Sequence, residues 1–191
     1  DLTPRSKELE PDIVAEVMVR HGDSRVHILA APSHPEDAEM VTGPQFRDVL
    51  KYLTNLYTYI IVDTASDLSN VTLETIDVCD LLVLVTTQEI PAINNMRIML
   101  GLLDALGIPR ERLFLVMNRF DKQIAITPDK VGENLRQEVM LSIPENNQIV
   151  TPSVNRGVPF MQDRKKAKEV GEGILTMTEK IRQRIKELNA E

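Results

Sequence analysis

Short runs of apolar residues alternate along the chain with longer stretches in which apolar residues return every three or four positions. The short runs cover residues 26–30, 59–62, 81–85, 113–117 and 139–143, with a further one at 148–151. Their apolar residues stand at successive positions, so both faces of each strand are expected to be buried, as in a parallel sheet covered by helices. Between them, Ile13, Val17 and Arg20 predict a helix over 12–20. Phe46, Val49, Leu50 and Leu53 predict a second, opening after Pro44. Residues 71–78 follow Asn70 as a cap. Pro91 opens a long helix with Ile93, Met96, Leu100, Leu103 and Leu106 inward, closed by Gly107 and stopped by Pro109. Pro128 opens another, with Val131 and Leu135 inside, and 173–188 is the last. Strand and helix in repeated alternation predict an α/β fold with a doubly wound, mostly parallel sheet in three α/β/α layers. Residues 12–188 are expected to be globular and 1–11, which are polar, to fray.

Composition narrows the picture without changing it. The chain has 191 residues, 42% apolar and 27% charged, with a net charge of −7; such a chain can build a core of its own. No apolar run exceeds the five residues of Leu81 to Val85, whereas a bilayer-spanning helix needs about 20. Cys79 is the only cysteine, which excludes a disulfide framework and a multi-cysteine zinc site and fits a reducing, cytoplasmic setting. The acidic balance argues against indiscriminate nucleic-acid binding. His21, His27 and His34 have no metal-ligand spacing, and His27, inside a strand run, is expected in the core. Cys79 is expected to be a buried, inert thiol. The first residues do not read as a signal peptide and there is no initiating Met, so the chain is expected to be a piece of a longer protein.

In a doubly wound fold, ligands sit beyond the carboxyl ends of the strands. Those ends read Asp63-Thr64-Ala65-Ser66, Thr86-Thr87-Gln88-Glu89, Asn118-Arg119-Phe120-Asp121 and Ile143-Pro144-Glu145-Asn146. Asp63, directly after four apolar residues, has the Walker B arrangement, in which a carboxylate holds magnesium beside nucleotide phosphates; the alternative is a turn aspartate. Asn118 carries a donor and an acceptor that match the edge of a purine; the alternative is a turn asparagine bonded to its own backbone. One helix, one strand and one more helix separate the two, the order a nucleotide fold needs. Together they are expected to flank one crevice for a purine triphosphate.

Here the sequence resembles the MinD/ParA family of deviant-Walker P-loop ATPases. Tyr59-Ile60-Ile61-Val62-Asp63-Thr64 is similar to its Walker B strand, Asp77 through Thr86 to its next helix end and strand, and Val116-Met117-Asn118-Arg119 to its adenine-contacting segment. Ile143-Pro144 and Ser153 through Pro159 are similar to its last loops. Leu29-Ala30-Ala31-Pro32, followed by Pro35-Glu36-Asp37-Ala38-Glu39, resembles the CpaE/TadZ pilus-assembly branch. The resemblance implies Asp63 as the catalytic-site magnesium ligand and switch residue, Asn118 as the adenine reader, and Pro144, Glu145 and Arg119 around the base. It implies ATP and Mg2+ as cofactors, an ATP-dependent homodimer, pilus or secretion assembly proteins as partners, an upstream receiver domain, and a cytoplasmic location at the cell pole. Neither specific nucleic-acid binding nor membrane insertion is expected. The rival readings are a non-catalytic interaction scaffold of the same fold and a DNA-partition ParA-type ATPase.

The chain departs from the family in two places. No glycine is followed by lysine, so the Walker A loop that cradles phosphates is absent. The expectation is a C-terminal part of an ATPase domain, incomplete at its N-terminal side, inactive alone and prone to pair or aggregate through strand edges. Ala65 and Ser66 stand where the family commonly carries prolines after the Walker B Asp-Thr. Arg164, Lys165, Lys166 and Lys168 form a basic cluster, read as a solvated helix start because Asp163 and Glu169 flank it. Ile174, Ile181, Ile185 and Leu188 form a stripe read as packing on the sheet rather than on a membrane.

Overall fold

The computed structural model describes residues 11–22, 24–32 and 34–190, which fall into two units divided between Cys79 and Asp80. Apart from Pro11, the stretch expected to fray lies outside the described residues. In the first unit α1 spans Pro11–Val17 and a short hairpin pairs β1 (Val19–Arg20) with β2 (His27–Ile28), antiparallel. Then come α2 (Pro35–Glu39), α3 (Gly43–Leu53) and α4 (Asn70–Val78). The helix expected over 12–20 thus ends at Val17, and the strand expected over 26–30 keeps two residues, in an exposed hairpin rather than a parallel sheet. His27 is exposed, its Nδ1 2.7 Å from the Tyr57 hydroxyl, not in the core. Val14, Val49 and Leu53 are buried together, with Leu29, Tyr57 and Ile60 packed against them.

Sequence chemistry explains the two longer helices. Pro44 sits in the first turn of α3, and Gln45 Oε1 accepts from the Thr42 backbone N–H at 3.1 Å. Helix α4 is capped by Ser69, not Asn70: Ser69 Oγ accepts from Thr72 N–H at 3.3 Å. The two helices meet where Gly43 leaves no room for a side chain. A Cβ there would lie 2.7 Å from Glu74 Cγ and 2.8 Å from the Asn70 carbonyl oxygen. Gly43→Ala is expected to cost about 1–3 kcal/mol through overpacking against backbone, read as a lowered urea midpoint of this unit.

The second unit is a three-stranded parallel sheet of order β3-β4-β5, formed by Leu82–Thr86, Leu113–Phe120 and Val139–Pro144. Helix α5 (Ile90–Ala105) connects β3 to β4 and α6 (Pro128–Leu135) connects β4 to β5. Then follow α7 (Asn147–Arg156) and the long α8 (Arg164–Leu188). Ile93, Met96, Leu100 and Leu103 of α5 are buried as expected, while Leu106 is 54% exposed, beyond the helix end that Gly107 terminates with φ 75°. Every side chain from Leu113 to Met117 is buried, so β4 is the covered centre of the sheet. Phe114 and Val116 pack with Ile143 and Val170 under Ile174, Met177 and Ile181 of α8. Ile174 and Ile181 of the last helix's apolar stripe therefore lie on the sheet.

Two expectations fail in this unit for identifiable reasons. Residues 148–151 are helical: Asn146 Oδ1 accepts from Ile149 N–H at 3.2 Å, and Gly157 closes the helix with φ 62°. End chemistry outweighs the strand preference of Ile149, Val150 and Thr151. Helix α8 starts at Arg164 rather than 173, with a break in helical geometry at Lys168, φ 47°. The basic cluster is its solvated start. Asp163 Oδ1 accepts from Lys166 N–H at 3.4 Å and Asp163 Oδ2 lies 2.8 Å from Lys166 Nζ.

That pair has a pH signature. Its mutual hydrogen bond, reinforced by charge attraction, holds the Asp163 carboxyl below its ordinary 3.8 and raises the Lys166 ammonium above 10.5. The lowered carboxyl contributes stability above 3.8 that is lost as pH falls through its folded value; the raised ammonium contributes below 10.5 and loses it as pH rises through its own. Amide NMR shifts at 164–167 are expected to move as pH falls through the Asp163 value, and in Asp163→Asn this acid transition is expected to be absent.

Candidate functional site

The carboxyl end of β4 is where chemistry-bearing residues gather. The β4–β5 ladder shifts register once between Leu115↔Val139 and Val116↔Leu141, continues to Met117↔Ser142, and resumes at Phe120↔Pro144 after a second shift. Two residues of β4, Asn118 and Arg119, thus face a single residue of β5, Ile143, and bulge from the ladder. Arg119 takes φ 52°, the left-handed region that non-glycine residues seldom enter. Asn118 supports that conformation, its Oδ1 accepting from the Arg119 backbone N–H at 3.0 Å. The turn role weighed for Asn118 is therefore present. It uses one lone pair of the oxygen and leaves the other, while the side-chain NH2 has no partner among the described residues.

The bulge brings Asn118 and Arg119 beside Pro144 and Glu145. Glu145 N–H donates to the Phe120 carbonyl at 3.1 Å, continuing the ladder past the shift. Asn118 and Pro144 are half-buried, while Arg119 and Glu145 are exposed. Glu145 Oε1 accepts from Asn147 Nδ2 at 3.0 Å. Four of the five expected site residues thus occupy one strand end in this unit.

Asp63, the fifth, belongs to the first unit. The run 59–62 before it has no assigned secondary structure and joins no ladder, so the expected strand is not formed among the described residues. Ile60 packs into the core of its unit, whereas Tyr59 is 55% and Ile61 94% exposed. The alternation of a strand is present; the paired neighbour that defines one is not. Asp63 is exposed, and its carboxylate takes no hydrogen bond among the described residues. Among those residues no three His, Cys, Asp or Glu side chains gather as a metal site. A lone free carboxylate fits magnesium, which keeps most of its water and takes one or two carboxylates beside phosphate oxygens.

Sequence reasoning passed over Gln88. It was noted only as one of the polar residues after the third strand, yet it is 4% exposed. Its Nε2 donates to the carbonyls of Asp121 at 3.2 Å and Ile126 at 2.7 Å, and its Oε1 accepts from Asp121 N–H at 2.7 Å. A glutamine just past a strand gives no local sign of such burial. Only the fold brings residues 88 and 121 together.

Comparison with known proteins gives these observations a context. No family model matches the chain. It is 26% identical over 149 residues to the septum site-determining protein MinD of Thermotoga maritima, covering 75% of this chain and 55% of that protein. The chain spans about half the length of the curated relatives it matches. Among solved structures, a ParA family ATPase from Chlorobium tepidum superposes with a TM-score of 0.85 at 20% identity, over 93% of this chain and 73% of that one. MinD from Pyrococcus horikoshii, solved with Mg-ADP, superposes at 0.74 with 16% identity, over 92% and 70%. The parallel sheet flanked by helices, with Asn118 and Arg119 at its carboxyl edge, thus has the fold of the ParA/MinD P-loop ATPases, and the chain is homologous to MinD.

Proposed function

We propose that this chain supplies the magnesium-side carboxylate and the base pocket of a MinD/ParA-like ATP-dependent switch, which positions Flp/Tad pilus or secretion machinery at the cell pole. The observation that supports the nucleotide part is the β4 bulge at Asn118 and Arg119, on the same sheet edge as Pro144 and Glu145, in a chain homologous to MinD. The pilus assignment draws on the stretch from Leu29 to Glu39 and its resemblance to the CpaE/TadZ branch. In this reading Asn118 donates from Nδ2 to a purine ring nitrogen and accepts from the exocyclic amine on its second lone pair. Pro144 and Glu145 flank the base, with Arg119 beside it. Asp63 holds a hydrated divalent cation through one carboxylate. Bound magnesium offsets charge on the β- and γ-phosphates. Two copies join around ATP and part after hydrolysis, releasing assembly partners, and an upstream receiver domain links the switch to signalling.

The test uses the full-length protein, sized by light scattering with Mg-ATP and with Mg-ADP. A dimer with ATP only is expected. Asp63→Asn is expected to abolish it and slow hydrolysis roughly 100-fold, the order seen when one electrostatic contact to a transition state is removed. No ATP-dependent association in the unaltered protein would replace the switch by the scaffold reading. The 191 residues alone contain no Gly-Lys phosphate cradle, so titration calorimetry of this chain with Mg-ATP is expected to find no tight complex.

A further inference from the structure

We infer that Gln88 is a positioning residue for the base pocket: its carboxamide stands in for a strand past the end of β3 and fixes the path of the chain as it leaves the Asn118–Arg119 bulge. The inference rests on the proposed reading of Asn118. Strand β3 ends at Thr86 while β4 runs on to Phe120, so the last residues of β4 have outrun their neighbour. Gln88 fills that place. Its Oε1 accepts from Asp121 N–H and its Nε2 donates to Asp121 C=O, the pair of bonds that one residue of an antiparallel neighbour would exchange and that the parallel strand β3 would not. A third bond, from Nε2 to Ile126 C=O, closes the loop 121–126 over the side chain.

The consequence for the bulge follows from one peptide group. The Phe120 carbonyl points to β5, where it accepts from Glu145 N–H, and the Asp121 N–H points to Gln88. The peptide between Phe120 and Asp121 is held from both sides. It lies one residue beyond Arg119, whose left-handed backbone needs its neighbours fixed. Asn118 in turn spends an oxygen lone pair on the Arg119 N–H. Losing Gln88 frees one side of that peptide, lets Arg119 relax, and takes Asn118 out of line with a base. The buried carboxamide is satisfied only by this loop, so an apolar side chain of similar size keeps the packing and loses the position.

The experiment compares Gln88→Leu with the unaltered full-length protein for binding of ATP and of inorganic tripolyphosphate, which has no base. Amide exchange at Asp121 is the second readout. The unaltered protein is expected to prefer ATP. Gln88→Leu is expected to weaken ATP about tenfold, the order carried by one or two buried hydrogen bonds, leave tripolyphosphate unchanged and speed exchange at Asp121. If Gln88→Leu does not fold, Gln88→Glu, which keeps the acceptor for Asp121 N–H and loses both donors, carries the same comparison. Faster exchange with an unaltered preference for ATP would overturn this inference alone. An unaltered protein that does not distinguish ATP from tripolyphosphate would overturn the base-pocket reading, and this inference with it. Equal weakening toward both ligands would make Gln88 a purely structural residue.

Discussion

Phe114→Ala is expected to lower the stability of the second unit by about 3–5 kcal/mol, the range for removing a fully enclosed aromatic ring. Phe114 is 0% exposed and stands on the central strand, where Val116, Ile143 and Val170 share its cluster and Ile174, Met177 and Ile181 roof it. Neighbours held by β-ladders and by a long helix cannot collapse into the cavity, so the transfer loss and the void both count. Domains of this size are stable by about 5–15 kcal/mol, and the variant is expected to lose much of its cooperative urea transition at 25 °C. Leu106→Ala is the control. Its side chain is 54% exposed beyond the end of α5, and an effect under about 0.5 kcal/mol is expected. Equal losses at the two positions would mean that β4 is not the core of the sheet.

The chain is expected to self-associate through the open edge of β3, and replacing Val83 and Val85 together with lysine is expected to leave it monomeric. Strand β3 pairs with β4 on one edge and, among the described residues, has no partner on the other. Its outward valines are 41% and 56% exposed, although their ladder partners Phe114 and Val116 are fully covered. An open edge with valines beside it invites pairing with another chain. Burying each valine between copies is worth about 1.5 kcal/mol, so losing both moves the association constant by roughly 100-fold. Because neither valine is buried within its own unit, the unfolding midpoint is expected to hold while sedimentation velocity shows the change. Association that survives the double substitution would place the contact elsewhere. Ile61, 94% exposed in the first unit, is the next position to change.

Strand runs with strong helix punctuation were legible from the sequence. The runs at 81–85, 113–117 and 139–143 form strands, and the helices opened by Pro91 and Pro128 bury the residues their spacing selected, except Leu106. These segments carry their own signals: a dense apolar run, a fixed φ at the first turn, a glycine past the last. The run 59–62 carries the same kind of signal and alternates exposed and half-buried residues, but a strand is completed by a second segment, and no sequence window contains it. His27 failed as a core residue for the same reason: its run pairs only in a short exposed hairpin.

The candidate site divides along the same line. Asn118, Arg119, Pro144 and Glu145 stand out in the sequence because polar residues follow apolar strand runs and resemble a known segment. Their convergence required the β4–β5 register shift, a property of two strands together. The left-handed turn at Arg119 is carried by a residue type that does not advertise it. Gln88 could not be found at all, since its three bonds reach residues 33 and 38 positions away. The order of residues, read alone, determined that the runs of the second unit's sheet would be buried and where the helices opened by Pro91 and Pro128 begin, because burial and capping act within a few residues. Tertiary structure decided which runs acquire a ladder and how the strand-end side chains are aimed, because hydrogen bonds between distant segments exist only once the chain has closed on itself.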